Sequence, residues 1–97
     1  MVMPFYIYNC MMLRKNSSIL WTFTDAGIII QNLESNLFME LDDFQEKIWA
    51  FIDGTHTENE IVNYLVVTKN KTTFSKRKKI VQQTIRILKK NSFIIEN

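Results

Sequence analysis

The sequence predicts an α+β domain, three antiparallel strands followed by three helices, and three observations carry that prediction. The first is a strict alternation in Leu37-Phe38-Met39-Glu40-Leu41, which puts Leu37, Met39 and Leu41 on one face and Phe38 and Glu40 on the other, as in a half-buried strand. The second is a pair of helix-start signals, Asp42-Asp43-Phe44-Gln45-Glu46 and Thr57-Glu58-Asn59-Glu60, each with an acid or amide three residues after a capping side chain. The third is the 3.6-residue spacing of Val81, Thr84, Ile85 and Leu88 near the C-terminus.

Taken in order, Pro4 to Leu13 is apolar and rich in β-formers, and reads as an extended arm or strand laid on the domain. Residues 1–18 are accordingly set apart from a folded unit over 19–97. Arg14 to Ser18 is a polar break. Ile19-Leu20-Trp21-Thr22-Phe23-Thr24 is a β-type segment that turns at Asp25-Ala26-Gly27 into Ile28-Ile29-Ile30, which continues to Asn32. Leu33-Glu34-Ser35-Asn36 then reverses the chain into Leu37–Leu41, which completes a meander. That last strand is expected at a sheet edge, with its free backbone groups as the working surface.

The first helix is expected from about Asp43 to Ile52, with Phe44, Ile48, Phe51 and Ile52 inward and Asp53-Gly54 as its stop. The second follows Thr57, with Ile61, Tyr64 and Leu65 as its apolar stripe, and the pair resembles a helix-turn-helix unit. Thr68 to Thr73 reads as a polar loop. A third helix is expected after Ser75, with Ile80, Gln83 and Ile87 on a stripe beside its core face. Lys76, Arg77, Lys78 and Lys79 then crowd its first turn, where the helix dipole disfavours cations. A local rule broken in this way points to an acidic partner as readily as to a plain solvated helix face. Phe93-Ile94-Ile95 is β-prone and expected to tuck back on the domain.

Composition excludes several classes of function. Ninety-seven residues allow one core and little room for a deep active site. The longest apolar stretches, Pro4 to Leu13 and Ile61 to Val67, fall short of the roughly 20 residues that cross a bilayer, and no basic region precedes the first. A cytoplasmic protein without a membrane partner is the expectation. Solitary Cys10 allows neither an internal disulfide nor a thiolate zinc cage, and His56 has no second His to share a metal. Asp42, Asp43, Asp53, Glu58 and Glu60 serve as caps, and no catalytic triad, phosphate loop or dinucleotide fingerprint is present. No enzymatic activity and no cofactor are expected. The net charge is only +2, yet Lys69, Lys71, Lys76, Arg77, Lys78, Lys79, Arg86, Lys89 and Lys90 all lie in the last third.

The succession Gly27-Ile28-Ile29-Ile30, Phe38-Met39-Glu40-Leu41, Ile48-Trp49-Ala50-Phe51-Ile52-Asp53-Gly54, Thr57-Glu58-Asn59-Glu60-Ile61-Val62 and Val81 to Leu88 resembles the PqqD-like family. This is the recognition element for precursors of ribosomally made, post-translationally modified peptides. The resemblance covers roughly Ile19 to Ile94, and the basic loop Thr68 to Thr73 and the apolar arm depart from it. It implies a winged helix-turn-helix fold that binds the leader segment of a precursor peptide as a strand added beside the third helix. Carried onto this chain, it implies a peptide-binding edge of Leu37, Phe38, Met39, Glu40 and Leu41. The helix wall would be Lys76, Lys79, Ile80, Gln83, Thr84 and Ile87. It further implies a modifying enzyme as partner, such as a radical enzyme, a leader protease or a cyclase. Two alternatives stand beside it: a winged-helix DNA-binding protein, and a structural subunit that forms an oligomer such as a homodimer. Nucleic acid is disfavoured, because Glu58, Asn59, Glu60, Asn63 and Tyr64 give the second helix no Arg or Lys.

Overall fold

The computed structural model describes residues 12–67 and 70–96. In chain order the elements are β1 (Leu13–Lys15), β2 (Ile19–Thr24), β3 (Gly27–Asn32), β4 (Leu37–Leu41), α1 (Asp43–Phe51), β5 (Asp53–His56), α2 (Glu58–Leu65), α3 (Lys71–Lys90) and β6 (Ile94–Glu96). They form an α+β winged helix-turn-helix with two antiparallel sheets, β2-β3-β4 and β5-β1-β6.

The meander forms as its turns dictate. Thr24 pairs with Gly27 across the two-residue turn Asp25-Ala26, and Asn32 pairs with Leu37 across a four-residue turn whose Asn36 has φ +62°. Register then aligns Trp21, Ile30 and Met39 on one face, with Phe23, Ile28 and Leu41 beside them. Ile28, Ile30 and Leu41 are buried there against Ile48, Trp49 and Ile52. Both predicted capping boxes form: Asp42 accepts from the Gln45 N–H at 2.8 Å, and Thr57 Oγ1 from the Glu60 N–H at 3.2 Å. In α3, Val81, Thr84, Ile85 and Leu88 are all buried, as their spacing predicts, and Phe93 and Ile94 are buried behind them. Among the described residues no helix is long and apolar enough to cross a membrane.

Four expectations need correction. Arg14 and Lys15 are part of a strand, because Leu13–Lys15 lies between β5 and β6 and pairs with both. Pro4 to Met11, most of the expected arm, lies outside the described residues. The first helix does end near Asp53, but Asp53–His56 continues as β5, since the backbone of β1 offers it a partner that local sequence does not reveal. In α2 the inward residues are Ile61 and Val62, whereas Tyr64 faces outward and stacks on Phe51 at 5.5 Å between ring centroids.

The fourth correction concerns charge. Asn70 caps α3 by accepting the Thr73 N–H at 3.0 Å, so the helix starts a turn earlier than Ser75. Lys71 is then the basic residue of the first turn, and Lys76 to Lys79 fall in the second and third turns, where the helix dipole has faded. The dipole argument for an acidic partner therefore lapses for that cluster. A stronger argument from charge replaces it: the twenty residues of α3 hold eight basic side chains and no carboxylate.

Candidate functional site, an open strand edge beside a cationic helix

Among the described residues β4 pairs with β3 alone. Opposite residues in an antiparallel pair alternate between hydrogen-bonded and non-bonded, and a two-residue hairpin closes on a bonded pair. Starting from Thr24 and Gly27, that alternation turns Gly27, Ile29 and Gln31 of β3 toward β2, and Ile28, Ile30 and Asn32 toward β4. Leu41, Met39 and Leu37 answer those three. The backbone N–H and C=O groups of Phe38 and Glu40 therefore point away from the sheet, as two donors and two acceptors in a row.

Beside this edge lies a cleft of about 330 Å³ lined by Leu37, Phe38, Met39, Ile87, Asn91 and Phe93. Its floor is apolar. Phe38 is 64 % exposed and Ile87 44 %, so side chains of both kinds of element meet solvent at its rim. Next to it, Asn32, itself 2 % exposed, lines a neighbouring cleft that shares Leu37 and Asn91 with the first. Its Nδ2 donates to the carbonyls of Asn91 and Ser92, each at 3.2 Å, while its Oδ1 accepts from the N–H groups of Glu34 at 2.9 Å and Ser35 at 3.3 Å. One side chain thus ties the β3–β4 turn to the end of α3. Asn16 reinforces the tie by donating from Nδ2 to the Ser92 carbonyl at 2.9 Å.

The residues singled out in the sequence are only partly gathered here. Leu37, Phe38, Met39 and Ile87 share the cleft. Ile80 is exposed to the same degree as Ile87, and exposed Gln83 lies between them along the helix. Lys76 and Lys79 line a separate cleft of about 330 Å³ with Lys71, Thr72 and Ser75, toward the start of α3. Leu41 and Thr84 are buried, at 2 % and 3 % exposure, so their side chains back the wall without facing solvent. Glu40 is exposed on the outer face, opposite Ile29. Asn32, Asn91 and Phe93 were not among the expected site residues. Only Phe93 had a legible signal, in the β-prone run that follows the helix.

Elsewhere the candidates for chemistry are occupied structurally. His56 Nδ1 lies 3.1 Å from both the Phe51 carbonyl and Asp53 Oδ1, with its ring against Phe51 and Tyr64. Among the described residues no group of three or more His, Cys, Asp or Glu converges as a metal site would require. The helix that would read DNA in a winged-helix protein, α2, begins with Glu58 and Glu60 and has no basic residue in its last turn.

No family model matches the chain, and no curated protein sequence matches it. Two solved structures share its fold. One is described as lasso peptide synthetase B1 complexed with the leader peptide: TM-score 0.69, 17 % identity, 86 % of this chain and 96 % of that chain covered. The other is described as TbiB1 in complex with the TbiA(beta) leader peptide: TM-score 0.66, 14 % identity, 84 % of this chain and 93 % of that chain covered.

Proposed function

We propose that this chain is a non-catalytic module that captures the leader segment of a ribosomally made precursor peptide by adding it as a strand to β4, and presents it to a modifying enzyme. The supporting observation is the outward-facing row of Phe38 and Glu40 backbone groups beside an apolar cleft and a helix whose charged residues are all basic. That the two structures of similar fold are described as leader-peptide complexes agrees with it. The leader would lie between β4 and α3, with Phe38, Ile80 and Ile87 choosing among apolar side chains and Lys76 and Lys79 favouring acidic ones.

The energetics suit a reversible carrier. Four main-chain bonds contribute roughly 0.5–1.5 kcal/mol each, and two or three buried apolar side chains add roughly 1.5–3 kcal/mol each. Ordering an unfolded segment removes about 2–5 kcal/mol, and lost translational and rotational freedom removes more. Affinity nearer micromolar than picomolar is the consequence. Backbone pairing supplies attraction without sequence preference, and the cleft and the cations supply the choice. A radical enzyme, a leader protease or a cyclase would each suit a peptide held in this way.

Fluorescence polarisation with labelled N-terminal segments of the short peptides encoded beside this chain's gene tests the reading. Glu40→Pro removes one outward N–H while leaving the β3 ladder whole, since edge strands accept proline where the N–H faces solvent. We expect affinity to fall roughly two- to tenfold with the far-UV circular dichroism unchanged. Equal binding by the variant and the natural protein would dispose of strand addition.

A further inference from the structure

Among the described residues the same sheet has a second unpaired edge, with a different character. Among the described residues β2 pairs with β3 alone, and its sequence Ile-Leu-Trp-Thr-Phe-Thr has no charge and no proline. Edge strands are ordinarily guarded by a charge, a proline or a bulge, and β4 follows that rule with Glu40 near its centre. β2 does not. Leu20, Trp21 and Phe23 are 58 %, 42 % and 71 % exposed. The alternation that turns Phe38 and Glu40 outward on β4 turns Ile19, Trp21 and Phe23 outward on β2.

Beside this edge lies a cavity of about 690 Å³ lined by Trp21, Phe23, Trp49 and Ala50, with Lys15, Lys47, Asp43 and Glu46 among its remaining walls. Two cations and two carboxylates balance. Trp21 meets Trp49 edge to face at 6.4 Å, and Trp49 Nε1 is buried without a hydrogen-bond acceptor. Lys15 Nζ stands 4.9 Å from the Trp49 ring centre and donates to the Ile52 carbonyl at 2.8 Å.

We infer that β2 is the interface for a second copy of this chain, joined antiparallel so that Trp21 faces its own counterpart across a two-fold axis and two three-stranded sheets become one of six. Two arguments select a second copy. The register is self-consistent: with Trp21 on the axis, Ile19 meets Phe23, so every outward backbone group of one copy finds an outward group of the other, and side chains of one face meet the same face. Charge also permits it, because the balanced rim of the β2 cavity meets itself without net repulsion. At β4 a second copy would bring its own α3 with eight cations against the first. Self-association through β2 leaves both β4 edges open at the two ends of the joined sheet, and it stands whether or not β4 binds a leader.

The apolar side chains exposed along so short a ladder fall below the roughly 1,200 Å² of a tight interface, which makes a weak dimer. Sedimentation of the full chain from micromolar to millimolar concentration is expected to show a monomer–dimer equilibrium. Phe23→Lys should weaken it at least tenfold with the circular dichroism unchanged, since Phe23 is mostly exposed. Amide exchange at Ile19, Trp21 and Phe23 should slow as concentration rises, while Phe38 and Glu40 stay fast. A chain that stays monomeric to millimolar concentration overturns the inference. So does a dimer that is indifferent to Phe23→Lys, or one whose protection appears at Phe38 and Glu40.

Discussion

Asn32 is the residue whose loss should reveal how the β3–β4 turn is fastened to the end of α3. Truncation to alanine removes two donated and two accepted hydrogen bonds at once, between 2.9 and 3.3 Å long. At roughly 0.5–1.5 kcal/mol net for each bond, with three of the four on the long side, the loss should be about 2–3 kcal/mol. Water can reach the freed groups of Glu34, Ser35 and exposed Ser92, so no larger orphaning penalty is added. For a domain of this size that corresponds to a melting temperature lower by roughly 10–20 °C. Urea unfolding of Asn32→Ala should show a lower midpoint with an unchanged slope, because the core is untouched. Asn32→Asp keeps the acceptor but aims a carboxylate at two carbonyls. It should be at least as unstable as the alanine variant at neutral pH, and partly recover in acid when the carboxyl can donate. A loss below about 0.5 kcal/mol for Asn32→Ala would refute the idea that this side chain fastens the turn to the helix.

Two further predictions concern other elements. Bonds from the Thr55 hydroxyl and the Thr55 N–H, with a smaller contribution from His56, hold the Asp53 carboxyl at about 2. A folded value below the unfolded one stabilises the protein above the ordinary aspartate range, and that contribution fades as pH falls from about 4 toward 2. Thr55→Val should raise the Asp53 titration midpoint seen by NMR and flatten the acid limb of stability, and an unmoved midpoint would count against it. Gly27 has φ +130°, and a Cβ there would lie 3.0 Å from the Leu41 carbonyl oxygen and 2.9 Å from Glu46 Oε2. The carboxylate can swing away but the carbonyl cannot, so Gly27→Ala should cost about 1–3 kcal/mol by thermal melting, and a neutral effect would contradict the strain.

What the sequence disclosed was what neighbours in the chain decide. Both capping boxes bind residues three apart, so Asp42 with Gln45 and Thr57 with Glu60 could be recognised without a fold. The meander was legible for the same reason, as alternation and turn chemistry are local. β5 was not, because Asp-Gly-Thr-His has the composition of a turn and becomes a strand only where β1 runs beside it. The start of α3 was missed because Asn70 caps a first turn with Phe74 as its one partly buried apolar residue. The site divides along the same line. Leu37 to Leu41 could be chosen from their period, but Asn32 reaches partners about 60 residues away, and nothing around it in sequence announces that. The unbroken run of cations from Lys76 to Lys79 concealed which of them share a cleft, since which ones do depends on their rotation about the helix axis.

The small sheet β5-β1-β6 has a consequence for how the molecule is assembled. Its central strand precedes the meander in the chain, yet one neighbour arrives only with Ile94–Glu96, so the sheet waits for a strand some 80 residues downstream. A growing chain can build the meander and α1 as soon as they clear the ribosome, but it cannot close this second sheet until residue 96 is free. Until then Leu13, buried in the finished protein, has only β5 beside it. The domain should therefore snap shut late and in one step, with newly made chains most vulnerable to proteases in the interval before it does.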